Sequence, residues 1–311
     1  MLKPISLKKK IIIFRGGAIG DFILTLPAIA AIREHFKNYQ INLFANSNVA
    51  DLAEEYVDQL FHLDSSRFSK LFTNTKSPEP DLADLFSNTE LVISYLSDPK
   101  GVFHNNIKSM TNSQIIQCQP KPDESNNIHA ADFYLSPLKA LGITPSDKTP
   151  RITINYTQPL TPKPDNPCVA FHPGSGSKKK NWPIECWLEL IKSIRDKTNW
   201  HLIGICGEAE AHLIPLLSKF MDPQRFHLFN NLKLKDLAIK LSSADIYIGH
   251  DSGITHLAAA IGLKGIVLWA KSNYVVWHPV SKKFNTLFLN DNNYLKPEIV
   301  LQELQNLITP P

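Results

Sequence analysis

The chain has 311 residues, 43% of them hydrophobic and 20% charged, with a formal net charge of +4. That length is long for one core and comfortable for two, and so mild a charge is not by itself an argument for nucleic acid. No apolar run approaches the ~20 residues of a membrane span, and Ile11–Phe14 is too short for the apolar region of a secretory signal.

The four cysteines, Cys118, Cys168, Cys186 and Cys206, are scattered, with no Cys-x-x-Cys pair. They read as buried thiols in a reducing compartment, so the expected location is cytoplasmic. Lys9–Phe14 is a first buried strand, followed by the turn Arg15-Gly-Gly-Ala-Ile-Gly-Asp21 and a helix running to about Phe36. Pro27 is read as near enough to that helix's start to be tolerated. Gln40–Ala45 is a second strand and Asn48–Tyr56 a second helix. Leu60–Leu63, Leu91–Tyr95 and Gln114–Cys118 are further strands, with short helices and loop over Ser65–Thr89. The stretch Ser97–Asn127 is poor in pattern and reads as a loop-rich excursion near a site or partner surface. His129–Leu141 has helical spacing and stops at Gly142. Thr157–Pro167 then carries four prolines in eleven residues, an extended semi-rigid stretch and the best domain boundary in the chain.

The second half repeats the alternation. Strands are expected at Val169–His172, His201–Cys206, Arg225–Phe229, Ile246–Ile248 and Gly265–Trp269. Helices are expected at Glu185–Lys197, Glu208–Phe220, Leu234–Ser242, from about Ser252–Thr255 through Ile261, and at Pro297–Ile308. Strands alternating with helices imply parallel sheets. The fold expected is α/β, with two doubly wound Rossmann-like domains facing a cleft. The N-terminal domain takes residues 1–156 and the C-terminal one 157–311, the last helix keeping the option of packing back on the N-terminal domain. Ligands should bind at the carboxyl ends of the strands.

Three turns at those ends carry the chemistry. In Gly16-Gly-Ala-Ile-Gly-Asp21 the spacing does not match a dinucleotide fingerprint, and the second strand ends at Asn46 rather than at an acidic residue. Asp21 either caps its helix or does chemistry. In His172-Pro-Gly-Ser-Gly-Ser-Lys-Lys-Lys-Asn-Trp-Pro183, Gly174 and Gly176 free the backbone, Ser175 and Ser177 offer hydroxyls and Lys178–Lys180 supply charge. It is anion-binding in type without being a Walker loop, although a solvated run is the plainer reading of Lys178 and Lys179. In Gly249-His-Asp-Ser-Gly-Ile-Thr-His256 a helix begins. Its free N–H groups and macrodipole suit phosphate oxygens, Gly253 permits close approach, and the Ser252 and Thr255 hydroxyls cap the helix or donate to an anion. Asp251 repels phosphate and better suits the hydroxyls of a sugar carried on it. The plainer reading is an N-capped turn in which Asp251 and Ser252 serve the helix alone.

Three blocks together resemble glycosyltransferase family 9, the ADP-heptose:lipopolysaccharide heptosyltransferases. They are Gly20-Asp21-x-x-Leu24-Thr25-x-Pro27, His172-Pro-Gly-Ser-Gly-Ser with Lys180-x-Trp182-Pro183, and Asp251-Ser-Gly-x-Thr-His-Leu-Ala-Ala-Ala260. They lie in the family's order and span both halves. The resemblance implies the GT-B architecture and an inverting transfer of heptose, or a related sugar, from an ADP-sugar to a lipopolysaccharide core or similar glycan. It implies Asp21 as the base, Lys180 on phosphate and Asp251 on donor sugar hydroxyls. The donor set is then Ser175, Gly176, Ser177, Lys180, Asp251, Ser252, Gly253, Thr255 and His256, with Gly20, Thr25 and Lys271 on the acceptor side or unassigned. Partners would be a nucleotide-sugar and a glycolipid or oligosaccharide, not nucleic acid, and no cofactor or metal is called for. The eleven histidines carry no His-Glu-x-x-His spacing.

The chain also departs from the family pattern. Ala270-Lys271-Ser272 replaces the usual Gly-Pro-Thr, His250 stands where Asn is common, and a late cysteine pair is absent. These changes bear most on donor identity. A non-catalytic or hydrolytic nucleotide-sugar-binding protein on the same fold is the rival expectation, whereas Ser252, His256 and Asp251 are neighbours on one helix start and form no hydrolase triad. Lys3 and Lys8–Lys10 could hold the protein at the inner, anionic face of a membrane, with solubilising charge as the plainer reading.

Overall fold

The structure is a computed structural model that describes residues 8–74, 80–154, 165–292 and 294–308. It divides into two compact units, Met1–Lys148 and Thr149–Pro311. The boundary expected at 156/157 and most of the proline-rich stretch lie outside the described residues. Just before them, the Ile152 N–H donates to the Ala260 carbonyl of the second unit at 3.0 Å.

The first unit is a parallel sheet of β1 (Lys10–Arg15), β2 (Gln40–Ala45), β3 (Gln59–His62), β4 (Thr89–Ser94) and β5 (Gln114–Gln117), in the order β3-β2-β1-β4-β5. Helices α1 (Ile19–His35), α2 (Pro80–Phe86), α3 (Val102–Met110) and α4 (Ala130–Leu135) accompany it. The central strands are almost unbroken apolar runs because both faces of the sheet are covered. One face packs an aromatic core in which Phe44 lies between Phe14 and Phe61, with centroids 4.6 Å away on each side.

The excursion expected to be loop contains α3. Phe103 and Ile107 stand four apart and are buried, and the Asp98 carboxylate accepts from the Phe103 and His104 N–H groups at the helix start. Pro27 lies in the interior of α1, not near its start. Its missing N–H costs one ladder bond, and the helix continues because Phe22–Ile29 are buried throughout. The helix expected over 48–56 is a 3-10 segment, Ala50–Tyr56.

The second unit is a parallel sheet of β6 (Cys168–His172), β7 (His201–Cys206), β8 (Phe226–Asn230), β9 (Ile246–His250), β10 (Lys264–Trp269) and β11 (Phe284–Phe288), ordered β11-β10-β9-β6-β7-β8. Its helices are α5 (Ile184–Lys197), α6 (Ile214–Leu217), α7 (Leu234–Leu241), α8 (Gly253–Ala260), α9 (Tyr274–Trp277) and α10 (Pro297–Ile308). The helix expected over 208–220 is broken into 3-10 turns on either side of α6, since Pro215 has no N–H to donate to a carbonyl of the preceding turn. β11 and α9 were not anticipated. The strand reads Phe-Asn-Thr-Leu-Phe, with no strict alternation of apolar and polar residues, and its five positions at a sheet edge are too few to stand out. α10 buries Val300, Leu301 and Leu304 in the core of this unit, with Trp182 and Trp187. Among the described residues, no helix is long and apolar enough to cross a membrane.

Both sheets reverse direction of strand order beside their first strand. In an open α/β sheet the crevice at such a reversal is where ligands bind. In the first unit it opens between β1 and β4, and in the second between β6 and β9.

Candidate active site

In the first unit the turn after β1 delivers Asp21 to the third residue of α1. Gly17, at φ +100°, makes the bend, a conformation that L side chains rarely adopt. Asp21 is buried, and its two carboxylate oxygens have different partners. Oδ2 accepts the Ala18 N–H at 3.3 Å and lies 3.6 Å from Lys121 Nζ, while Oδ1 accepts from the Tyr134 hydroxyl at 3.2 Å. So Asp21 does cap its own helix, and it is also held by α4 and by the segment after β5.

Arg15 runs beneath this carboxylate and is only 1% exposed. Its guanidinium donates to the Asp21 carbonyl at 2.9 Å and to the Pro120 carbonyl at 3.0 Å, and lies 4.4 Å from the Tyr134 ring centroid. The Tyr95 hydroxyl donates to the Tyr134 carbonyl at 2.8 Å. Burial pushes the Tyr134 phenol well up, against an opposing effect of Arg15 and with a further push from Asp21, so it stays a neutral donor. Burial likewise raises the Cys118 thiol to about 12. Thr25 turns its hydroxyl onto the Asp21 carbonyl at 2.8 Å and is fully buried, and Gly20 is the second residue of α1.

In the second unit, β6 and β9 are neighbours, with His172 opposite Gly249, so their turns emerge side by side. Lys180 Nζ lies 2.6 Å from Asp251 Oδ2. This pair answers the difficulty posed by the sequence: the lysine neutralises the carboxylate, and the positive end of α8 then sets the local sign. Ser252 is the N-cap of α8, its hydroxyl accepting the Thr255 N–H at 3.4 Å, and Gly253 is the first residue of the helix. Thr255 turns inward. Its hydroxyl donates to the His250 carbonyl and lies 3.1 Å from the Tyr247 hydroxyl. His256 is buried one residue further on.

The turn after β6 is folded by its own side chains. The Ser175 hydroxyl lies 2.8 Å from the Ser177 carbonyl and 2.7 Å from Asn181 Oδ1, and accepts the Ser177 N–H at 3.2 Å. Gly174 leaves room for Glu210, whose carboxyl an added Cβ would overlap, whereas Gly176 is exposed and an added Cβ would meet nothing. Glu210 is buried with Oε2 3.5 Å from His172 Nε2 and accepts the Gly207 N–H at 3.0 Å. Burial alone would raise its carboxyl, but His172 and the Gly207 N–H bring it below the ordinary value. Lys271 is exposed after β10, where the Trp269 indole N–H donates to the Ser272 carbonyl at 2.9 Å.

The structure thus brings Lys180 and Asp251 together beside Ser252 and Gly253, and turns Ser175 and Thr255 to internal bonds. Sequence reasoning missed Arg15, Tyr134, Lys121 and Glu210. An arginine closing an otherwise apolar strand was the one available signal. Among the described residues, no group of three or more His, Cys, Asp or Glu is arranged to hold a metal ion. The first unit can accept a proton from a polar ligand, and the second can hold an anion carrying hydroxyls.

A family model for glycosyltransferase family 9 (heptosyltransferase) matches residues 131–306. Lipooligosaccharide heptosyltransferase 2 of Campylobacter jejuni serotype O:6 is 21% identical over 94% of this chain and 97% of its own length. The crystal structure of a glycosyl transferase family 9 protein from Veillonella parvula superposes with a TM-score of 0.77 at 17% identity, covering 98% of this chain and 99% of that one. The E. coli heptosyltransferase WaaC with ADP gives a TM-score of 0.75 at 17% identity, over 96% and 99% of the two chains. With ADP-2-deoxy-2-fluoro heptose bound, WaaC gives 0.70. The fold shared with these structures is the two-domain, Rossmann-like GT-B fold.

Proposed function

The chain belongs to glycosyltransferase family 9 and is a glycosyltransferase; from that premise we propose that it moves a heptose from an ADP-activated donor onto the oligosaccharide of a lipooligosaccharide or lipopolysaccharide acceptor, with inversion. The observation that carries the donor side is the Lys180–Asp251 pair, 2.6 Å apart at the start of α8. With donor bound, the Lys180 ammonium turns to the diphosphate and Asp251 takes hydroxyls of the sugar. The first N–H groups of α8 have no partner within the helix and point at the same phosphates.

In the reaction, an acceptor hydroxyl attacks the anomeric carbon from the face opposite the diphosphate. The bond from that carbon to the phosphate oxygen breaks, and its electron pair leaves with ADP. Lys180 and the helix start stabilise this growing charge most in the transition state. The acceptor proton goes to Asp21. The attacking hydroxyl becomes strongly acidic only as its new bond forms, so a carboxylate can accept the proton late. The Ala18 N–H, the Tyr134 hydroxyl and Lys121 fix the orientation of that carboxylate.

Four buried cysteines outside any disulfide fit a cytoplasmic enzyme. We extend the proposal to a weak, salt-sensitive contact with anionic lipid through the N-terminal lysines. Lys9 already pairs with Glu90 and Lys10 donates to the Leu85 carbonyl, so the attraction left for lipid is small; Lys3 lies outside the described residues.

The test is product analysis with ADP-heptose and a truncated lipooligosaccharide acceptor, alongside calorimetry with ADP and UDP. A heptosylated product of inverted anomeric configuration and tighter binding of ADP are expected. Equal binding of the two nucleotides, or no transfer, overturns the donor assignment.

A further inference from the structure

His250 ends β9, directly before Asp251, and none of its surface is exposed. Its ring is bonded on both sides to the turn after β6. The Trp182 N–H donates to Nε2 at 2.8 Å, and Nδ1 lies 3.2 Å from the Gly174 carbonyl. An amide can only donate and a carbonyl can only accept, so one tautomer satisfies both contacts: Nδ1 protonated, Nε2 bare. Burial draws the ring down to about 3, with His172, Glu210 and Asp251 the charged or titratable groups facing it, so it stays neutral at ordinary pH.

The two anchor points bracket the cation of the site. Gly174 comes six residues before Lys180 and Trp182 two residues after it. A single imidazole therefore fastens both ends of the segment 175–181, and the Lys180 ammonium near the close of that segment reaches Asp251, the residue next to His250. The clamp is itself held. The Trp187 ring meets the imidazole edge-on at 5.6 Å, and Trp182 is buried with its indole N–H donating to the Leu295 carbonyl at 3.0 Å.

We infer that His250 is a positioning residue for the donor phosphates, setting the distance from the 175–181 turn to the start of α8 and so holding Lys180 where it meets the diphosphate. This rests on the donor reading given above. His250 touches no reacting group and moves no proton; it acts through Lys180 and the turn.

The experiment is a double-mutant cycle on ADP affinity, read by calorimetry, with His250→Phe, Lys180→Ala and the double variant, and His250→Asn as the conservative replacement. Each single variant is expected to weaken ADP at least tenfold, and the double to stay within about threefold of Lys180→Ala, because a misplaced lysine has little left to lose. His250→Asn, whose amide can replace the donor toward Gly174, recovers part of the affinity. If the losses multiply, or His250→Phe lowers Tm with ADP affinity intact, the role is structural and the inference fails while the donor reading stands. If Lys180→Ala alone leaves ADP affinity unchanged, the donor reading fails and takes the inference with it. Should His250→Phe not fold, the His250→Asn cycle and imidazole 15N shifts of the unmodified protein decide. A neutral ring protonated at Nδ1 from pH 5 to 8 is expected, and an Nε2-protonated or titrating ring overturns the clamp.

Discussion

The two candidate regions hold their charged groups in different ways. In the first unit one carboxylate is fixed largely by its own helix start, with one hydroxyl from α4 and one exposed lysine beside it. In the second unit, two turns from neighbouring strands are cross-linked by side chains that run from one to the other. The difference teaches that the first region can lose its carboxylate charge with little change of shape. In the second, each contact also sets the position of the next.

The largest effect is therefore expected from the least disruptive change. Asp21→Asn should cut transfer by about 10²–10⁴-fold, the range of a lost general base, while ADP affinity stays within a few-fold by calorimetry. A variant that keeps most of its activity would reduce Asp21 to a helix cap and erase the contrast. Gly174→Ala forces a methyl into the Glu210 carboxyl and should cost about 1–3 kcal/mol of stability in urea denaturation. Gly176→Ala, two residues away in the same turn, has open space and should change stability by under about 0.5 kcal/mol. Equal costs at the two glycines would mean that the turn is not packed from below.

Acid should separate the regions as well. His250 ionises near 6.5 in an unfolded chain but only at about 3 in the fold, so between those values the unfolded state binds the extra proton. Stability is present above about pH 6.5 and falls as pH drops toward 3. Between pH 7 and pH 5 the loss is about 2 kcal/mol, read from the urea transition of the second unit. His250→Asn should remove that slope; a slope that survives the change belongs to other groups. Glu210, with its carboxyl lowered, adds a loss only below about pH 4.5, as pH falls through its folded value.

Lys180→Ala and Asp251→Ala should each weaken donor binding or turnover at least tenfold with the fold intact, about 1.4 kcal/mol. Unchanged kinetics in both would leave the cross-linked turns without a ligand role. The smallest effect concerns Lys8–Lys10→Gln. Slight sedimentation with anionic vesicles at low salt should disappear in the variant and at high salt. Binding that survives the replacement would assign the contact to another surface.

The sequence alone determined the alternation of strands and helices and the three turns at strand ends on which Asp21, Lys180 and Asp251 lie. Each of these is a local signal: an apolar run of strand length, a glycine-bearing turn, a helix start. It did not reveal α3, whose four apolar positions are diluted by polar ones, nor the break at Pro215 that divides the helix expected over 208–220. Only the tertiary structure decided that Ser175 and Thr255 bond inward, that Glu210 fills the space left by Gly174, and that His250 fastens the turn carrying Lys180. The physical reason is one of distance along the chain. His250 lies 68 residues from Trp182 and 76 from Gly174, and what joins them is the hydrogen-bonded pairing of β6 with β9, which no local pattern encodes.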